Sequence, residues 1–134
     1  MGRRIAERNT LVTGVATYVT SGLRVTDFKN CVLSIAGSAS ADLKVFVKGA
    51  IGDVRPTSFS TASALRAANN LNWDYIEVVD MEDGAAIDGD TGIALSGNVI
   101  RLVEVNINAL DWLAIHVTNR AAGTVTVSGL FATD

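Results

Sequence analysis

Asp42-Leu43-Lys44-Val45-Phe46-Val47-Lys48 is the stretch that decides the fold. Leu43, Val45 and Val47 fall on one side, Lys44 and Lys48 on the other with Phe46 between them. Successive side chains of a strand alternate across a pleated sheet, so the segment reads as a half-buried strand. The same period returns in Gly123-Thr124-Val125-Thr126-Val127-Ser128-Gly129-Leu130-Phe131, with Thr and Ser facing out. In Asp111-Trp112-Leu113-Ala114-Ile115-His116-Val117-Thr118, Leu113, Ile115 and Val117 share one face; Trp112, Ala114 and His116 share the other. Asn98 to Val105, Asn30 to Ala36, Trp73 to Asp80 and Thr10 to Thr20 complete the set, rich in the Val and Thr that strands favour. Ser21-Gly22, Gly37-Ser38, Gly52-Asp53, Asp83-Gly84, Asp88-Gly89-Asp90 and Ser96-Gly97-Asn98 supply turn chemistry between the apolar runs. The pattern predicts an all-β protein: an antiparallel β-sandwich, jelly-roll-like, of about eight strands. Thr57 to Asn70 departs from it. Ala64, Leu65, Ala67 and Ala68 suit one or two helical turns, so this segment reads as a long, partly helical surface excursion, the kind of connection that tends to make contacts.

With 134 residues the chain is one domain. Residues 1–9 read as an N-terminal arm and 10–134 as the sandwich. Apolar residues at 49% against 19% charged exclude a disordered chain. A single Cys excludes an internal disulfide, and with a single His it cannot build a structural zinc site. The net charge of −3 does not suggest a general nucleic-acid binder. No uncharged apolar run approaches the roughly 18 residues of a membrane-spanning helix. Arg3 and Arg4 are not followed by an apolar segment, because Glu7, Arg8 and Asn9 interrupt it; no signal peptide is expected, and synthesis is expected in the cytoplasm.

Little catalytic equipment remains. His116 sits in mid-strand with no Gly-x-Ser-x-Gly motif in the chain, and Cys31 lies beside Val32 and Leu33 as a small core thiol. No phosphate-binding glycine motif is present. The expectation is that the protein is not an enzyme. The acidic segment holds Asp74, Glu77, Asp80, Glu82, Asp83, Asp88 and Asp90 without one Lys or Arg. Asp88 and Asp90 are candidate ligands for Ca²⁺, which takes oxygen donors, although Gly92, Ile93 and Val99 stand where an EF-hand loop needs its later ligands. The segment reads as a solvated turn or partner-facing patch, as that calcium site, or as a carboxylate pair for glycoside hydrolysis. Trp73 and Tyr75 on one strand, with Trp112 on another, read as core or as a sugar-binding platform; their acidic neighbours disfavour stacking on nucleic-acid bases. Arg3, Arg4 and Arg8, against Glu7, make a basic N-terminus that is either solvated or an arm that docks.

The order of segments is familiar as a type. Asp42 to Ile51 is followed by Asn72-Trp73-Asp74-Tyr75-Ile76, then Gly89-Asp90-Thr91-Gly92-Ile93, Trp112 to Asn119, and Ala122-Gly123-Thr124-Val125-Thr126-Val127. This resembles, over roughly residues 30 to 130, the small β-sandwich proteins of tailed-phage virions, such as capsid decoration (cement) proteins and tail accessory domains. The resemblance implies a structural role in a virion, often as a homotrimer. The partner would be the major capsid protein or another virion component, and bridging neighbouring subunits would favour the assembled shell by mass action. On that reading Arg3, Arg4 and Arg8 of the arm, and Phe59 and Leu65 of the excursion, are the expected contact residues. High apolar content in so small a chain agrees with burial between subunits. The alternative is a carbohydrate- or receptor-binding sandwich using Trp73 and Tyr75, with calcium at Asp88 and Asp90.

Overall fold

The computed structural model describes residues 6–19, 22–52, 73–97 and 99–133, with backbone alone at 18, 19, 73 and 119–121. The Thr57 to Asn70 excursion, with Phe59 and Leu65, lies outside the described residues, as do Arg3 and Arg4. Among the described residues there is no helix. Twelve strands run in order: β1 (Ala6–Val15), β2 (Tyr18–Val19), β3 (Leu23–Arg24), β4 (Asn30–Gly37), β5 (Asp42–Ala50), β6 (Trp73–Tyr75), β7 (Val78–Asp80), β8 (Ala86–Ile87), β9 (Ile93–Ser96), β10 (Ile100–Asn106), β11 (Trp112–Ala122) and β12 (Val125–Ala132).

Two six-stranded sheets result. The first, sheet A, has the order β1-β12-β4-β10-β7-β8. In the second, sheet B, β11 and β5 pair at the centre along nearly their whole length. The short strands share the flanks: β2 and β3 both pair with β11, and β6 and β9 both pair with β5. All these pairs are antiparallel, so the β-sandwich expected from period two is what forms. The extra strands are two to four residues long, too short for alternation to announce them. Between successive described strands the chain changes sheet at eight of eleven connections.

Three expectations are corrected in detail. Trp73 to Asp80 is not one strand: β6 pairs with β5 in sheet B, whereas β7 pairs with β10 in sheet A. The link between them is tied down by the Ile76 amide, which donates to Val47 O at 2.9 Å. The boundary of the N-terminal arm falls inside β1, because Ala6, Glu7, Arg8 and Asn9 already pair with Ala132, Phe131, Leu130 and Gly129. The stretch around Lys48 is not half-buried. Alternation holds from Asp42 to Val47, and then Lys48, Gly49 and Ala50 are buried on both faces.

The core lies between the sheets. Leu33, Ile35, Val103, Val105, Val127 and Phe131 project from sheet A; Leu43, Val45, Ile93, Leu113, Ile115 and Val117 meet them from sheet B. Each fully buried side chain of this size contributes about 1.5–3 kcal/mol relative to exposure. Phe131 packs against Phe28 with ring centroids 5.9 Å apart.

Candidate functional site

The side chains that the sequence offered for chemistry are engaged in packing. Cys31 points inward from β4, and burial pushes its thiol up to about 12. A thiol so raised is not a nucleophile at neutral pH. His116 is 5% exposed on the side of β11 that faces away from the core. Beside it Lys48, fully buried, brings its Nζ to 3.0 Å from His116 Nδ1. Burial lowers Lys48 to about 8, and burial plus the Lys48 charge lowers His116 to about 4. At neutral pH the ammonium therefore donates to Nδ1 of a neutral imidazole whose proton is on Nε2. Phe46 packs on His116 at 5.9 Å and on Tyr75 at 5.7 Å between centroids, and Lys48 Nζ stands 5.2 Å from the Tyr75 ring centre.

That packing bears on the aromatic platform. The Tyr75 ring already has two neighbours. Trp112 is 4% exposed, its Nε1–H donates to Gly52 O at 2.8 Å, and the Arg24 guanidinium lies 5.4 Å from its ring centre. Of Trp73 the structure describes the backbone only.

The acidic segment is held by its own turns. Asp88 Oδ1 accepts from the Asp90 amide at 2.9 Å, and Asp88 O accepts from the Thr91 and Gly92 amides. Asp83 Oδ1 accepts from the Ala85 amide at 2.9 Å. These are the side-chain-to-backbone bonds by which Asp stabilises turns. Asp74, Glu77, Asp88 and Asp90 rim an open depression of about 270 Å³ beside Tyr75. Among the described residues no group of three His, Cys, Asp or Glu is placed to hold a metal ion. Asp80, read as part of this segment, has a different role. It is 6% exposed and forms an ion pair with Arg101, which also donates to Ala94 O of β9 at 3.3 Å. The Glu82 amide and the Arg101 guanidinium hold its carboxyl below the usual carboxylate range.

The outer face of sheet A is different in kind. Ile100 is 70% exposed, Leu102 47% and Met81 49%. Ile100 and Leu102 alternate with the inward Val103 and Val105, so β10 is apolar on both faces, and Met81, whose amide donates to Leu102 O at 3.0 Å, stands beside it. Val32 and Leu130 lie half-buried on the same side. A depression of about 540 Å³ opens there, lined by residues of β1, β4, β10 and β12, among them Thr10, Ser34, Ser128, Leu130 and Leu102. Arg8, expected in a docking arm, stands at its edge on β1. The contiguous Ile100-x-Leu102 pattern beside Val103-x-Val105 was the sequence signal for this face.

The chain is thus an antiparallel sandwich with exposed apolar side chains on the outer face of one sheet. No protein-family model matches the sequence, and no curated protein is significantly similar to it. Solved structures are similar in fold. The prophage-derived protein YomS of SPBc2 superposes with a TM-score of 0.69 at 14% identity, covering 98% of this chain and 96% of that one. The PBSX exported protein XepA gives a TM-score of 0.66 at 12% identity, covering 98% of this chain. The chain spans 39% of XepA, so it corresponds to one part of that larger protein. Both likenesses are of fold, and both neighbours are phage-derived.

Proposed function

We propose that this chain is a phage-encoded structural protein of the virion, and that it serves as a decoration protein bridging neighbouring subunits of a capsid or another virion component. The contact role rests on one observation: three large apolar side chains, Ile100, Leu102 and Met81, stand exposed together on one sheet face. Large contiguous apolar surface on a soluble fold marks an interaction site. The phage setting is supported by the descriptions of the two neighbours in fold and by the order of segments in the sequence. A protein that binds an assembled shell and not its parts stabilises the shell by mass action. Neither the Cys31 thiol nor the His116 imidazole is offered to a substrate, which agrees with a product that is a contact.

The test is gradient sedimentation of native particles from a lysate that contains this protein. It is expected to sediment with the intact particle, and particles lacking it are expected to release their contents at lower temperature. Recovery in the unsedimented fraction alone sinks the reading.

A further inference from the structure

The strand register arranges the outer face of sheet A in rows that cross β1, β12, β4 and β10. One row runs Arg8–Leu130–Val32–Glu104. The next runs Thr10–Ser128–Ser34–Leu102. In the third, Thr126, Ala36 and Ile100 follow one another, and the Gly14 amide donates to Thr126 Oγ1 at 3.0 Å, which sets Gly14 at the β1 end. The ends of each row are opposites. Arg8 stands against Glu104, the short Thr10 against the exposed Leu102, and Gly14 against Ile100, with nothing within 4 Å of the place where a Gly14 Cβ would stand. The middles match: Leu130 beside Val32, Ser128 beside Ser34.

We propose that this face is the seat of a second copy of the same chain, related by a two-fold axis that runs along the strands between β12 and β4. Such an axis exchanges β1 with β10 and β12 with β4 while keeping each row in register. It sets Arg8 over the partner's Glu104, Leu130 over the partner's Val32, and Leu102 over the partner's Thr10. Ile100 falls over the partner's Gly14. An isologous interface requires this self-complementarity, each feature of the face meeting its counterpart from the other end. An unrelated partner would require none of it.

The geometry is that of an ordinary sheet packing. Facing sheets stack about 10 Å apart with strands rotated by about 30°, which an axis inclined about 15° to the strands produces. Row ends lie about 7 Å from the axis at roughly 4.8 Å per strand, so the rotation displaces them by about 4 Å, within reach of an Arg side chain. The four strands that pair across the axis, of seven to ten residues each, give a face of roughly 500 Å², or about 1,000 Å² for the two copies together, the lower end for a specific interface. The pairing deepens the reading of this face as a contact surface, and it does not depend on the virion.

Sedimentation equilibrium with purified protein tests it. The wild type is expected as a reversible two-chain species. Arg8→Glu and Glu104→Arg are each expected to raise the dissociation constant about tenfold or more, because each reverses two symmetry-related contacts. The double variant R8E/E104R is expected to return to within about threefold of wild type, since the charges are exchanged and not removed. Thr10→Trp, which fills the depression, is expected to give a folded monomer with unchanged circular dichroism. A wild-type monomer, a species of three or more chains, or an R8E/E104R variant as weak as either single variant overturns the proposal. Dimers that do not sediment with particles would overturn the proposed function and leave the pairing standing.

Discussion

At neutral pH Lys48 and His116 share one hydrogen bond at a buried site, and only one of the two carries charge. Acidification changes that. Protonating His116 puts a second cation 3.0 Å from the Lys48 ammonium, where Nδ1 can no longer accept. The folded state resists this, which is why burial and the Lys48 charge hold His116 at about 4 against an ordinary 6.5. Between those two values the unfolded chain binds more protons than the folded one, so stability rises with pH across the window and is lost as pH falls from 6.5 towards 4. The increment is on the order of 2 kcal/mol with solvent screening included. Lys48 behaves likewise at higher pH: lowered to about 8, it adds stability as pH rises from 8 towards 10.5. His116→Gln keeps an acceptor for Lys48 and removes the titration. Urea unfolding at several values between pH 4.5 and 7 is expected to show the wild type losing that increment relative to His116→Gln. Parallel pH profiles for the two proteins would mean that the pair does not titrate in this range.

At the scale of elements, the long strands were legible because one side of each is apolar and period two repeats there. β4, β5, β10, β11 and β12 coincide closely with the runs read from alternation. The short flanking strands were not legible, since two or three residues hold no period. Lys48 was misread because alternation assumes that the face away from the core is wet, and around Lys48 and His116 on sheet B it is not. By type Arg101 and Asp80 are surface charges; only the register, which sets β7 beside β10, shows that they pair within sheet A, from where Arg101 also reaches Ala94 O of β9 in sheet B. Turn glycines were legible by type, and their roles still differ. Gly123, at φ 92°, links β11 in sheet B to β12 in sheet A. A Cβ there would run into the Ala41 backbone, with the Ala41 nitrogen 2.7 Å away, just where the Ser38 amide donates to Thr124 O at 2.9 Å. Gly84 has a similar φ of 73° with nothing within 4 Å. Gly123→Ala is therefore expected to cost about 3 kcal/mol or more, combining backbone strain with collision. Gly84→Ala is expected to cost about 1 kcal/mol from the backbone alone. Thermal melts of the two variants compare them directly, and equal losses would refute the packing at this corner.

For the whole molecule, the surplus of apolar residues divides between two places: the space between the sheets and the outer face of sheet A. The division constrains how the molecule closes. β12 comes last in the chain and lies between β1 and β4 in sheet A, contributing Val125, Val127 and Phe131 to the core. β1 is an edge strand that contributes Val12, and its register shifts twice, between Thr10 and Val12 and between Val12 and Val15. Irregularities of that kind are typical of sheet edges. Two deletions should therefore behave differently. Removing residues 125–134 takes away an inner strand and leaves the inward faces of β4 and β11 short of their partners, so no cooperative unfolding transition is expected. Removing residues 1–15 uncovers one edge and one buried Val. A cooperative transition is expected to survive at lower stability, together with a tendency to aggregate through the bared edge of β12. Because Ala6 and Ala132 are register partners, contacts between the two ends of the chain form only after both are made, and such non-local pairing makes folding slow. If β1 is an edge addition, its loss should mainly speed unfolding and barely change the folding rate. Stopped-flow chevrons of the full chain and the 16–134 fragment decide this. A large drop in the folding rate would show that β1 belongs to the nucleus, and that sheet A closes from its edge inward.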